Sequence, residues 1–509
     1  MKTLNKELVG LLLFTTLFYV LFWDQFWGLN ILLLSLASGA IIFWFNPFAV
    51  VQRSVQLMFS ANLLCGIGIF WHNSIFTQII YVISFILLIG KSQFPFLTQL
   101  FFLGIAGILN YFVCLFKAFK LISDKLAIIP GYKKYRHWII IILLPLMITS
   151  VFLVLYYNAN ESFNKLTYQF FDWIYKYMKS FLDLISLPKF FFLLFGFGIG
   201  ASLLLRFKNQ LIERVEKNLT DDIQRKSWNS YWGNASLTGL KNYYRMALIS
   251  FLMVNLLLLV VNILDIIHVW FNFETSSASE LRQFVHNGTY ILIFSILVAI
   301  GMVLYFFYGN INFYKHNRWV KTLAYVWIGQ NMIMVASVFV RNLYYVQLFG
   351  LAYKRLGVFF FLIATILALI LLIIKVKEHK SVTYYLRTIS ITAYCVLLFV
   401  SLFNWDVFIA SYNLNYNRKN LDTKFLFHEL SDKTLPILWE NKDAFGESNG
   451  EDYQYLLKRI QRFKEREQLN TWKSTTLMGM SNYQFFLKND IPQPNIEKQK
   501  GSVRKVGEK

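Results

Sequence analysis

Stretches of about twenty apolar residues recur between residues 8 and 403, and they constrain the fold more than any other feature of the sequence. A helix of about 20 residues crosses the roughly 30 Å hydrocarbon core of a bilayer. Because lipid offers no hydrogen-bond partner to the backbone, each stretch is expected to be helical. Only 15% of the residues are charged, against about a quarter in soluble proteins. The sequence therefore predicts an all-α protein, a polytopic transmembrane helical bundle.

Twelve stretches are candidate spans. They are residues 8–23, 29–45, 55–70, 76–90, 95–116, 138–157, 190–206, 244–267, 289–308, 322–340, 357–375 and 388–403. The run at 55–70 is short, and the run at 95–116 follows "KSQFPF". We interpret one of these two as interfacial or re-entrant, which leaves about eleven true spans, with ten to twelve allowed.

Charge predicts which loops face the cytoplasm. The net charge is +22, of which the residues from Asn404 onward carry only +3. Alternate loops hold 21 against 8 lysines and arginines. By the positive-inside rule, the richer set is cytoplasmic, and the C-terminal tail is extracytoplasmic. The basic residues are scattered rather than gathered in one stripe, which argues against nucleic acid. We expect a multi-pass protein of a bacterial inner or plasma membrane, with the lipid bilayer as its first partner.

The tail is polar but patterned. In "EDYQYLLKRIQRFKEREQ", five apolar residues at helical spacing predict one buried face; they are Tyr453, Leu456, Leu457, Ile460 and Phe463. The chain thus divides into membrane helices, loops and a small C-terminal helical domain. The predicted ranges are 1–116 (N-terminal spans), 117–137 (basic cytoplasmic loop), 138–206 (two spans with an outer amphipathic segment), 207–243 (cytoplasmic helical loop), 244–403 (five-span core), 404–490 (extracytoplasmic helical domain) and 491–509 (disordered tail).

A polar face is predicted within one span. Asn255, Asn262 and Asp265 share one side of the helix 244–267, and His268 lies one turn further on. Polar groups in spans are costly and often functional. Two interpretations stay open. One is structural, with the face either lying near the headgroups or forming interhelical hydrogen bonds, and the other is a transport or proton pathway.

The sequence offers no assembled catalytic or metal site. The three cysteines lie in apolar runs, and no Cys/His zinc spacing occurs. The histidines and carboxylates predicted to face outward match no known signature. We therefore predict no cofactor, no metal and no catalytic residue, and we favour a non-enzymatic role.

Several elements resemble a known family. They are "FVHNGTYILIFSILVAIGMVL" from Phe284, "RNLYYVQLFGLAYKRLGVFFFLI" from Arg341, "NWDVFIASYNLNYNRKNLDTKFLFHELSDKTLPIL" from Asn404 and "TWKSTTLMGMSNYQFFL" from Thr471. In order and spacing they are similar to the bacterial polytopic membrane proteins grouped as "domain of unknown function" 4153/4173. The resemblance spans about residues 240–487 and implies a fold and topology but no activity. Ser411 and "VHNG" stand where the family pattern has basic residues.

These elements meet at a predicted outer junction. Its candidate residues are Asn404, Asp406, Tyr412, Asn413, Asp422, Arg341, Tyr344, Arg355 and His286. A helix from about residue 405, capped by Asn404 or Asp406, is expected there. The basic residues of the adjacent loop, with Tyr344, are expected to pair with Asp406 or Asp422. The junction either packs the tail onto the membrane helices or forms a binding site.

Three functions fit the sequence. The first is a non-enzymatic envelope scaffold or sensor whose outer helices dock on the membrane domain and contact an envelope protein. The second is a transporter or lipid-handling protein. The third is a membrane enzyme acting on an outer-leaflet lipid or glycan, which requires His286, Asp406, Asp422 and Glu429 to converge.

Overall fold

A computed structural model of the chain describes most of its length. The described residues are 2–46, 49, 51–126, 145, 149–150, 152–153, 156–158, 160–184, 186–205, 214, 216, 219–225, 237–271, 278–416, 421–445 and 450–492. Over these ranges the secondary structure is helical without strands, apart from an isolated bridge between Asp222 and Lys380. The predicted all-α class is confirmed.

Long helices make up the first four-fifths of the described chain. They are α1 (Lys2–Phe22), α2 (Leu29–Phe45), α3 (Arg53–His72), α4 (Ile75–Gln93), α5 (Leu100–Leu126), α6 (Glu161–Leu184), α7 (Leu187–Leu204), α8 (Leu237–Asp265), α9 (Ala278–Phe306), α10 (Arg318–Phe349), α11 (Tyr353–Lys377) and α12 (Val382–Ser401). A π-helical turn, Ile266–Phe271, extends α8, and a 3-10 turn, Asn310–Phe313, precedes α10.

Short helices follow. They are α13 (Trp405–Tyr416), α14 (Thr423–His428), α15 (Leu435–Glu440), α16 (Glu451–Leu469) and α17 (Leu477–Lys488), with 3-10 turns at Asp432–Thr434 and Lys442–Phe445. The five residues buried on α16 are Tyr453, Leu456, Leu457, Ile460 and Phe463. The face predicted from their spacing is therefore confirmed.

Eight of the described helices are long and apolar enough to cross a membrane, and two shorter apolar helices occur at Leu29–Phe45 and Ile291–Phe306. The protein is thus a multi-pass membrane protein. Most of the candidate span 138–157, of the loop 207–243 and of the tail 491–509 lies outside the described residues. In the predicted loop 117–137, residues 117–126 form the end of α5, and the rest lies outside the described residues. The count of eleven spans and the division into domains remain predictions.

The chain forms two compact units, Met1–Gly66 with Tyr81–Leu97 and Phe101–Ile212, and Ile67–Ile80 with Thr98–Leu100 and Glu213–Lys509. In the first unit, α1 packs closely against α7. A Cβ at Gly196 would lie 2.4 Å from the Phe18 ring, and one at Gly200 would lie 2.8 Å from the Phe14 ring. Glycine at both positions therefore permits this approach of the two helices.

Two apolar cores lie in the described part of the second unit. One lies among α8 to α12 and includes Phe251, Phe307 and Tyr385. The other gathers the C-terminal helices α13 to α17 around Val346, Leu351 and Leu356, which belong to α10, α11 and the loop between them. The C-terminal helices thus share their core with the membrane helices of the same unit.

Candidate functional site

Asp406 is a buried carboxylate at the start of α13. Its Oδ1 accepts a hydrogen bond from the Tyr353 hydroxyl, and its Oδ2 accepts one from the Ser431 hydroxyl. The ammonium of Lys433 lies 2.8 Å from Oδ2, and both charged side chains are largely buried. One carboxylate therefore joins α11, α13 and the turn before α15.

Electrostatics keep Asp406 ionised. Burial alone would raise the pKa of this carboxyl, but the Lys433 ammonium and the hydrogen bonds from Lys433, Ser431 and Tyr353 outweigh it. Together they hold the pKa of Asp406 below its ordinary value. Opposite charge and hydrogen bonding both favour the charged form of a carboxyl group.

A second attachment fixes the loop between α10 and α11. The Asn413 side chain accepts a hydrogen bond from the Leu351 N–H at 2.6 Å and donates one to the Leu351 carbonyl at 2.9 Å. The chain turns at Gly350, whose φ of 75° is left-handed and favours glycine. Arg355 donates to the Phe349 and Gly350 carbonyls of the same loop.

The predicted partners at this junction differ from those observed. Arg341 pairs with Asp265, and Arg355 binds loop carbonyls and stacks on Tyr345, 4.4 Å from the ring centre. Asp406 instead pairs with Lys433. The expected pairing of the two arginines with Asp406 or Asp422 is thus wrong, because both arginines have partners on neighbouring helices or within their own loop.

The other junction residues make separate contacts. Asp422 caps α14 by accepting from Phe425 N–H at 3.0 Å. The Tyr412 ring lies 5.2 Å from the Tyr416 ring. Two more residues are Tyr344, which is half-buried, and Asn404, whose Oδ1 lies 3.5 Å from Val407 N. The described residues include the backbone of His286 in α9 but not its side chain.

The polar face of α8 bonds to α10. Asn255 donates to the Leu323 carbonyl at 3.0 Å and accepts from Gln330 at 2.9 Å. Asn262 donates to the Gln330 carbonyl at 3.1 Å. Interhelical hydrogen bonding, one of the two interpretations of this face, accounts for both asparagines.

An ion pair also connects α8 with α10. Asp265 accepts from Ser337 at 2.6 Å and pairs with Arg341 at 2.5 Å, with little of either charged side chain exposed. His268 does not join it, because it is exposed on the π-helical turn that follows. A π-helix takes more residues per turn than an α-helix, so spacing counted along α8 does not carry over to His268.

A large groove opens beside Asp406. It encloses about 1040 Å³ and lies among residues 73–76, α9, α11, α12 and the segment 428–433, all within the second unit. Its wall is apolar along α11 from Leu356 to Ala368 and along α12 from Ile389 to Val400. One end is polar and is lined by Tyr353, Asp406, His428, Glu429, Ser431 and Lys433.

The groove is long and kept open by small residues. From Tyr353 to Ala368 it follows α11 for roughly 22 Å at about 1.5 Å per residue. Gly357, Ala364 and Ala368 line it from one helix, and Ala393 lines it from α12. A Cβ added at Gly357 would meet nothing within 4 Å. An apolar groove with polar groups at one end has the amphipathic form of a membrane lipid.

The remaining junction space is small. A pocket of about 60 Å³ lies among Arg355, Asn413, Asp422 and Phe425. This volume suits a few water molecules at most, so side chains largely fill that part of the junction. Asp406 and Glu429 line the groove, whereas Asp422 lines the small pocket.

The comparisons with known proteins identify a family. Residues 58–441, three-quarters of the chain, match the family described as Domain of unknown function (DUF4153). The chain belongs to this DUF4153 family. No curated protein and no solved structure matches it. The matched range begins well before residue 240, where the sequence resemblance began, and it contains every residue that lines the groove in this DUF4153 protein.

Sequence reasoning missed two features of the DUF4153 site. The small residues Gly357, Ala364 and Ala368 recur on one side of α11, which was a detectable signal for the groove. His72 carried no such signal. It is buried, and the charges of Lys433 and Asp406 and the backbone of Ser401 and Leu402 act on it.

Proposed function

We propose that this protein is a non-enzymatic membrane protein that binds a lipid molecule in the groove between α9, α11 and α12. The observation that carries the proposal is that an apolar groove of about 1040 Å³ has a cluster of polar and ionisable groups at one end. Ligand sites are typically apolar with a few polar groups that fix orientation. Acyl chains would lie against α11 and α12, and the headgroup would lie near Ser431, Lys433 and Glu429.

The dimensions support one lipid rather than a small solute. The groove follows α11 for roughly 22 Å, compared with about 15 Å for half of the hydrocarbon core. Each buried methylene contributes about 0.8 kcal/mol. Retention is therefore expected to come from chain burial, and orientation from the polar end.

Filling the groove tests the proposal. Ala364→Trp and Ala393→Trp each place a large ring against the groove wall. Displacing two or three methylenes removes about 2 kcal/mol of burial, which lowers retention roughly 30-fold. The measurement is the number of lipid molecules that stay bound to the detergent-purified protein in native mass spectrometry.

The matched control is Ile370→Trp, which adds the same ring to an exposed position of α11 outside the groove. The control protein should retain lipid as the unmodified protein does. Equal retention by the two groove variants and the control would refute the proposal.

A second candidate is an envelope scaffold or sensor, the first of the three functions that fit the sequence. It is favoured by apolar side chains exposed on the C-terminal helices, including Leu469 at 85% and Trp472 at 61% exposure. Large exposed apolar residues grouped together are typical of interaction surfaces. By the positive-inside rule, we expect this surface to lie outside the cytoplasm.

A photocrosslinker at position 472 in intact cells should then give a discrete protein adduct. The same crosslinker at exposed Glu440 of α15 serves as the control. Adducts at neither position, or equal adducts at both, would argue against a partner surface. Transport is not proposed, because Asp265 is engaged by Ser337 and Arg341.

A further inference from the structure

Some charged groups at the polar end of the groove are paired, and one is not. The acidic and basic residues of this end are Asp406, His428, Glu429 and Lys433. Asp406 and Lys433 neutralise each other at 2.8 Å. His428 contacts the Tyr455 hydroxyl through Nδ1 at 3.1 Å. The carboxylate of Glu429 is exposed and forms no ion pair with any described residue.

We infer that the groove selects a zwitterionic phospholipid whose headgroup carries an ammonium, with that ammonium paired to Glu429. This inference rests on the proposed lipid-binding function and deepens it. An anionic headgroup would bring no positive group to the uncompensated carboxylate of Glu429. An ammonium would meet the carboxylate directly, in a charge-assisted hydrogen bond.

Aromatic rings support the same assignment. Tyr353, Phe360 and Trp405 line the groove near its polar end. The Phe360 and Trp405 rings lie edge to face, with centres 5.0 Å apart. Glu429 is near enough to act electrostatically on the Tyr353 phenol. Aromatic faces attract ammonium groups, and indole is the strongest of them.

The phosphate of such a lipid also has a partner. A lysine ammonium has three N–H donors, and the Asp406 contact accounts for one of those on Lys433. Ser431 lines the groove beside it, although its hydroxyl donates to Asp406. Lys433 can therefore donate to a phosphate oxygen while it stays paired with Asp406. The lining thus matches both charges of a zwitterion.

A competition experiment tests the inference on the full-length protein in detergent. Phosphatidylethanolamine and phosphatidylglycerol with identical acyl chains are added in equal amounts, and bound lipid is counted by native mass spectrometry. We expect phosphatidylethanolamine to be retained about two- to fivefold better, the range of an exposed ion pair.

Variants locate the preference. Glu429→Gln should bring the two lipids close to equal retention, and Glu429→Lys should favour phosphatidylglycerol. Glu440→Gln removes an exposed carboxylate that does not line the groove and should leave the preference unchanged. Glu429 is exposed, so these changes should not disturb folding, which a melting curve checks.

The possible outcomes separate this inference from the function on which it rests. Suppose that Ala364→Trp lowers total lipid retention, but the unmodified protein retains phosphatidylglycerol as well as or better than phosphatidylethanolamine. The groove then binds lipid, and the headgroup assignment is wrong. The same holds if Glu429→Gln leaves the preference intact. If Ala364→Trp leaves total retention unchanged, both the assignment and the proposed function are wrong.

Discussion

At the scale of single residues, Asp406 shows what sequence reasoning reached and what it missed. Its position after the last long apolar run marked it as a junction residue, and the structure buries it there. Its cation is Lys433, 27 residues along the chain, rather than an arginine of the α10–α11 loop. Partner choice depends on how the turn 432–434 packs against α13, and no local spacing in the sequence encodes that packing.

Replacing Asp406 should destabilise the protein strongly. Asp406→Asn keeps the shape but leaves Lys433 without its counter-charge in a largely buried site. Breaking one side of a buried pair costs about 3 kcal/mol or more. The measurement is thermal or denaturant unfolding of the purified protein. Asp422→Asn is the control, because asparagine also caps helices and should change stability by less than about 0.5 kcal/mol.

The cost of Asp406→Asn should depend on pH. The folded pKa of Asp406 is lowered, so its contribution is complete above the ordinary aspartate pKa of about 3.9. The contribution is lost as the pH falls through the lower folded pKa. The stability gap between the unmodified protein and Asp406→Asn should therefore be constant from pH 7 to 5 and shrink toward pH 3. A gap that is equally large at pH 3 would contradict the assigned charge state.

At the scale of elements, local periodicity was a good guide where one face of a helix is buried. Spacing alone identified the five buried residues of α16. It failed at the end of α10, where the predicted run stopped at residue 340 and the helix continues to Phe349. Arg341 and Asn342 are polar yet buried there, because Asp265 and the Arg355 carbonyl accept their hydrogen bonds. Hydropathy assigns this polar segment to a loop, but tertiary contacts keep it helical.

The pairing of α8 with α10 yields a double-mutant prediction. Asp265→Leu and Arg341→Leu each leave one buried charge without its partner and should cost about 3–5 kcal/mol. The double variant should be clearly more stable than the less stable single variant, because no uncompensated charge remains. Unfolding of all four proteins gives the coupling energy. Strictly additive losses would show that the ion pair does not connect the two helices energetically.

At the scale of the whole molecule, charge and hydropathy predict the arrangement across the bilayer. The residues before Asn404 carry +19 of the +22 net charge. Alternate loops there hold 21 against 8 lysines and arginines. Positive loops are retained in the cytoplasm during insertion. The C-terminal helices, the polar end of the groove and Glu429 would then lie at the outer face, where outer-leaflet lipid can enter.

Reporter fusions test this sidedness directly. A phosphatase that needs disulfides to fold is active only in an oxidising compartment, so we expect activity when it follows Lys509. The control is the same reporter fused after Glu378 in a chain truncated there, which should be inactive because that loop is in the richly basic set. A fluorescent protein that matures only in the cytoplasm should give the opposite pattern. Fluorescence at the C-terminal fusion would invert the topology and move the polar end of the groove to the inner leaflet.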